Sequence, residues 1–93
     1  MNTREARSLV IRLLGRIAPE AELGALDPDA PLQEALDLDS MDFLGLVTGV
    51  EEETGRPVPE RDYPSISTLA GFSTYLAAGA RHDDSADTVR ASS

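Results

Sequence analysis

Apolar positions recur along this chain with the period of a helix. Over residues 3–17, Ala6, Leu9, Val10, Leu13, Leu14 and Ile17 follow the i, i+3, i+4, i+7 rule of an amphipathic helix. Asn2 stands in capping position with Glu5 three residues later, the register of a capping box. Pro19 ends the helix, because the residue before a proline avoids the α region. Residues 18–38 break the periodicity with Pro19, Gly24, Pro28 and Pro31, and predict a long ordered loop pegged to a core by Leu23, Leu26, Leu32, Leu36 and Leu38.

A second periodic stretch starts at Asp39 or Ser40 and ends near Thr54, with Gly55 in the favoured place just past a helix C-terminus. Phe43, Leu44, Leu46, Val47 and Val50 form its expected apolar side. Arg56-Pro57-Val58-Pro59 forces an extended connection, and Pro64 keeps any helix in 60–66 short. Thr68 caps a last helix whose face is Leu69, Phe72, Tyr75 and Leu76. From His82 onward the sequence is small and polar and predicts disorder. The expected architecture is all-α: a bundle of three main helices plus one short one, with a long first loop. It forms one domain over 1–80 and a polar tail over 81–93.

Length and charge narrow what such a bundle could do. The 93 residues suffice for one small domain with a marginal core. There is no cysteine, so disulfides, thiolate metal ligands and a cysteine nucleophile are excluded. No apolar run reaches membrane length, and Arg4, Arg7, Arg12 and Arg16 punctuate the first helix. A cytoplasmic monomer is the expectation, and the start at Met1 fits a discrete protein. Seventeen acids oppose eight bases, for a net charge of -9. Between Arg16 and Arg56 there is no Lys or Arg, while eleven of the acids lie there. Such a field repels phosphate backbones, which argues against nucleic-acid binding, and attracts basic partners. A plain solvating surface would look the same.

Candidate chemistry is sparse. The lone His82 sits at the tail with no serine or cysteine fixed beside it, so nothing resembles a catalytic set. Asp37-Leu38-Asp39 begins like a calcium loop. The places that need a further oxygen ligand, a glycine and a closing glutamate hold Met41, Asp42 and Thr48, so no metal site is expected. Ser40 differs from these. A serine at a helix start meets free backbone N–H groups and the positive end of the helix dipole, both of which stabilise a phosphate esterified to its hydroxyl. It could equally be a cap. Asp39 caps as well as Ser40 does, and if Asp39 caps, the Ser40 hydroxyl is left to face solvent. At about 100° per residue, Met41, Asp42, Gly45, Thr48, Gly49 and Glu52 fall on the side away from the apolar arc. Two glycines in a helix cost about 1 kcal/mol each relative to alanine; a face approached closely by another protein would explain that cost, and neutral drift on a surface would leave the same pattern.

These residues carry a resemblance. Leu36-Asp37-Leu38-Asp39-Ser40-Met41-Asp42 resembles the Leu-Gly-Leu-Asp-Ser-Leu-Asp signature of acyl carrier proteins. Leu32 matches the leucine before that motif, Glu51-Glu52-Glu53 the acidic run closing the second helix, and Val58-Pro59 the Ile-Pro after it. Thr68-Leu69 and Tyr75-Leu76 match the ends of the last helix, so the likeness spans roughly residues 3–78.

The resemblance implies the four-helix carrier bundle. It implies a non-catalytic protein on which Ser40 receives phosphopantetheine from a phosphopantetheinyl transferase, with Asp39 helping to dock that enzyme. The arm's thiol would hold acyl groups as thioesters for enzymes of fatty-acid, polyketide or related biosynthesis. Asp37, Met41, Asp42, Gly45, Thr48, Glu51 and Glu52 would face the basic docking patches of acyl-loading and acyl-processing partners. A peptidyl carrier and an unmodified acidic adaptor are the alternatives. Asp37 departs from the family's glycine and must itself supply any turn geometry required there. Gly45 replaces a usual acid, Thr54 a frequent aromatic, and Phe43 is bulky beside the arm.

Overall fold

The computed structural model describes residues 1–78. The expected tail over 81–93, with His82, lies outside the described residues, as does the expected domain end at residue 80. Among the described residues the chain is all-helical: α1 (Thr3–Ile17), α2 (Leu32–Ala35), α3 (Ser40–Thr54) and α4 (69–78), with 3₁₀ segments at Leu23–Ala25 and Glu60–Ile66.

The expected capping box closes the start of α1. Asn2 Oδ1 accepts from the Glu5 amide at 2.8 Å, and Glu5 Oε1 accepts from the Asn2 amide at 2.9 Å. Ala6, Leu9, Val10, Leu13 and Leu14 are buried along its inner stripe. The loop over 18–38 is more structured than expected. Besides its 3₁₀ turn it holds the single-turn helix α2, whose amides at Ala35 and Leu36 reach the carbonyls of Pro31 and Leu32. One turn without a side-chain cap leaves no periodic signal in the sequence. Leu32 and Leu38 are buried, while Leu23, Leu26 and Leu36 pack half-buried against the core. The Leu32 amide donates to Ser67 O at 2.7 Å, and the Ala70 amide donates to Pro28 O at 2.9 Å. The loop is thereby strapped to the start of α4.

α3 runs antiparallel to α1. Leu13 lies against Gly49, Arg12 pairs with Glu53 at 2.7 Å, and the chain just after Ile17 lies beside Leu38 and Asp42. Both ion-pair partners are well exposed, so the pair adds at most about 1 kcal/mol. Phe43, Leu46, Val47 and Val50 are buried, and Gly55 ends the helix in the left-handed region at φ 72°.

Two positions on α3 depart from the expected wheel. Leu44, expected in the stripe, is 42% exposed. Gly49, expected on the outward face, turns toward α1: an added Cβ would lie 3.2 Å from Leu13 Cδ2. Both stand about 110° from the centre of the stripe, on opposite sides. Periodicity cannot say which flank another helix covers. Gly45, by contrast, has open space around it. Gly45→Ala is therefore expected to stabilise the protein by up to about 1 kcal/mol through helix propensity. Gly49→Ala should gain less or lose, because Leu13 must give way. Urea unfolding of the two variants measures this difference.

The segment Glu60–Ile66 carries Pro64 and buries Ile66. Thr68 caps α4 as expected, its Oγ1 accepting from the Gly71 amide at 2.9 Å. Leu69, Phe72 and Leu76 are buried, and Tyr75 is half-buried. The core thus draws on α1, α2, α3, the 60–66 segment and α4 together.

Candidate functional site

The first turn of α3 holds Ser40 out to solvent. Asp39 is the cap: its Oδ1 accepts from the Asp42 amide at 2.8 Å, and Asp42 Oδ2 accepts from the Asp39 amide at 3.4 Å. The first intrahelical bond runs from the Phe43 amide to Asp39 O at 3.0 Å. The amides of Ser40 and Met41 therefore point forward without helical partners, at the positive end of the helix dipole. Ser40 is the first helical residue, is exposed, and its hydroxyl makes no hydrogen bond among the described residues. With Asp39 as the cap, that hydroxyl has no local structural duty.

Backbone geometry just upstream sets this exposure. Leu38 is buried and its amide donates to Gln33 O at 2.9 Å, which anchors the approach to the helix. Between Leu36 and Leu38 the chain reverses through Asp37 at φ 54°. This is the only positive φ outside glycine among the described residues, and it falls where the resembling family carries glycine. Aspartate is among the few residues that tolerate this region. Asp37→Gly is expected to leave stability unchanged or slightly raised, and Asp37→Val to lower it by about 1–2 kcal/mol. Thermal unfolding of the pair distinguishes a backbone role from a role of the carboxylate.

The residues expected to meet partners do not form one surface. Met41, Gly45, Thr48 and Glu52 share an outward stripe, with Met41 73% exposed. Asp37 is exposed at the turn before the helix. Asp42 and Glu51 are half-buried and each spends a carboxylate oxygen locally, Asp42 in the capping box and Glu51 on the Val58 amide at 2.8 Å. Glu51 thus holds the turn after α3 as well as contributing charge. Leu44, overlooked as a surface residue, flanks Ser40 one turn along the helix. Its angle from the stripe centre was the available signal.

On the flank of α3 away from α1, a cleft of about 420 Å³ opens beside Ser40, with Gln33, Glu60 and Ser67 around it and Phe43, Leu44 and Tyr63 among its walls. Among the described residues no cluster of three or more acidic or histidine side chains could hold a metal ion.

An exposed serine at a helix N-terminus, relieved of capping by the aspartate before it, fits a phosphodiester-linked group. Unpaired amides and the helix dipole would favour the phosphate, and nothing in the first turn obstructs the hydroxyl. Comparison with known families agrees with this chemistry. A family model described as a phosphopantetheine attachment site matches residues 4–76, nearly all of the described chain. The chain therefore belongs to the phosphopantetheine attachment site family, carrier proteins that bear a covalently attached phosphopantetheine.

Proposed function

We propose that Ser40 is the attachment residue, and that the protein is an acyl carrier serving fatty-acid, polyketide or related biosynthesis. The observation that carries this reading is the exposed Ser40 hydroxyl, set at the first position of α3 while Asp39 takes the capping role. When bound, the phosphopantetheine arm supplies the thiol that this cysteine-free chain lacks, and with it the capacity to hold acyl groups as thioesters. The chain's own residues present and orient the arm. Leu38 and the Asp37 turn anchor the helix start, and the amides of Ser40 and Met41 would be available to the phosphate. The acidic field of the middle segment draws in basic partners.

Those partners are a phosphopantetheinyl transferase, which Asp39 helps to dock, and acyl-loading and acyl-processing enzymes with basic patches. Met41, Gly45, Thr48 and Glu52 form the contact stripe, and Asp37, Asp42 and Glu51 add charge at its edges. Charge steering of this kind gives fast, salt-sensitive, reversible encounters suited to a shuttle. The protein works as a cytoplasmic monomer. Among the described residues no helix is long and apolar enough to cross a membrane.

The test is incubation with a broad-specificity phosphopantetheinyl transferase, coenzyme A and Mg²⁺, followed by intact mass and peptide mapping. A gain of one phosphopantetheine on the peptide containing Ser40 is expected. No gain, or a gain elsewhere, overturns the assignment.

A further inference from the structure

Sulfur is scarce in this chain and unshielded where it matters. There is no cysteine, and the only methionines are Met1 and Met41. Met41 is 73% exposed, more than Met1 at 45% or Leu44 at 42%, the other large apolar side chains left at the surface among the described residues. It stands at the second position of α3, directly after Ser40, where the signature of the resembling family carries leucine. Leucine and methionine offer a partner similar apolar bulk. Methionine adds a thioether that peroxides convert to the sulfoxide, and exposure governs how readily they do so.

Neither the core nor the cap of α3 uses this side chain. The helix is held by Phe43, Leu46, Val47 and Val50, and its start is capped by Asp39 and Asp42. Met41 and Leu44 are three residues apart and so are neighbours on the helix surface. They form an exposed apolar pair beside the attachment serine. A polar group set into that pair costs nothing in the free protein, because water solvates it. It becomes a penalty once a partner covers the pair and strips that water away.

We propose that Met41 is an oxidation site, and that its conversion to the sulfoxide by a peroxide weakens partner docking beside Ser40. The thioether sulfur takes one oxygen atom from hydrogen peroxide. The sulfur is oxidised by two electrons, the O–O bond breaks, and the remaining oxygen leaves as water. A polar S=O group then stands where the partner meets an apolar side chain, while the helix, its cap and the Ser40 hydroxyl are untouched. Enzymatic reduction of the sulfoxide restores the thioether and with it the contact. This inference rests on Ser40 as the attachment residue and on the outward stripe of α3 as the surface that partners meet.

The experiment first loads untreated protein with a broad-specificity phosphopantetheinyl transferase, coenzyme A and Mg²⁺. A failure of the attachment assignment appears there, as no mass gain, before any peroxide is used. The full chain is then treated with hydrogen peroxide, the excess is destroyed, and peptide mapping assigns each added oxygen to Met1 or Met41. Met41 is expected to oxidise at close to the rate of free methionine in the same solution. The oxidised protein should load with a several-fold lower kcat/KM, carried mainly by a higher KM, and should melt at an unchanged temperature. Treatment with methionine sulfoxide reductases for both epimers should restore the rate. In Met41→Leu, the ratio of treated to untreated loading rates should be one, although Met1 is still oxidised. Resistance of Met41 to peroxide overturns the proposal, as does equal loading of oxidised and untreated protein. An equal loss in Met41→Leu would move the effect to Met1, and a lowered melting temperature would make it a loss of folding; either result also overturns it.

Discussion

Replacing Ser40 with alanine is expected to abolish phosphopantetheine incorporation completely while leaving the fold intact. The chemical half follows from the proposed attachment, in which the Ser40 hydroxyl oxygen would form the phosphodiester as the nucleotide half of coenzyme A departs; alanine has no such oxygen. The structural half follows from the division of labour at the start of α3. Asp39 accepts the Asp42 amide, and Asp42 answers toward the Asp39 amide, so the capping box survives without Ser40. Alanine is also a better helix former than serine by up to about 0.5 kcal/mol, so the melting temperature should hold or rise slightly. Asp39→Ala separates the two roles. It should cost about 0.5–2 kcal/mol as a lost cap and slow loading without removing the acceptor. Intact mass after transferase treatment, with circular dichroism melts of both variants, checks the pair. Retained mass gain in Ser40→Ala would move the attachment to another hydroxyl.

The largest stability effect from the smallest change is expected at Gly71. One methyl group there would lie 2.6 Å from the Ser65 carbonyl oxygen and 3.0 Å from Thr68 Oγ1, the oxygen that caps α4. Neither neighbour is the far end of a flexible side chain, so relief requires moving α4 away from the 60–66 segment or losing the cap. Overpacking of this kind costs about 1–3 kcal/mol, and the better helix propensity of alanine returns less than about 1 kcal/mol of it. At roughly 4–8 °C per kcal/mol for a domain of this size, Gly71→Ala should lower the melting temperature by about 5–15 °C. Gly45→Ala is the matched control, since its methyl meets open space. An unchanged melt for Gly71→Ala would mean that the 60–66 segment yields easily.

How legible the molecule was depends on which residues carry each feature. Long amphipathic helices announce themselves locally. The Asn2–Glu5 box, the stripe from Ala6 to Leu14, Gly55 past the end of α3, and Thr68 before α4 are each spelled within a few residues and found in place. The single-turn α2 was missed because one turn is stabilised by its surroundings, here by the burial of Leu32 and the strap to Ser67, and not by its own sequence. Leu44 and Gly49 were misplaced for a related reason. Each lies at a margin of the apolar stripe, and the margin's fate depends on whether a neighbour covers it: α1 covers Gly49, and solvent meets Leu44.

The candidate site divides in the same way. That Asp39 and Ser40 begin a helix within an acidic segment was readable, because capping chemistry and charge are local properties. Asp37 was readable as a departure, but only the backbone shows that it stands at φ 54°. Glu51 read as docking charge, and the structure adds its bond to the Val58 amide seven residues on. By itself the sequence determined the three long helices, their caps, the acidic field and the serine at the start of α3, since each follows from spacing of a few residues. The tertiary structure alone decided which flank of α3 is packed and which is open, and set the Phe43–Tyr63 ring contact and the Gly71–Ser65 approach. Those contacts join residues that are distant in the chain or separated by a turn, and they arise only when a shared core draws the separate helices together.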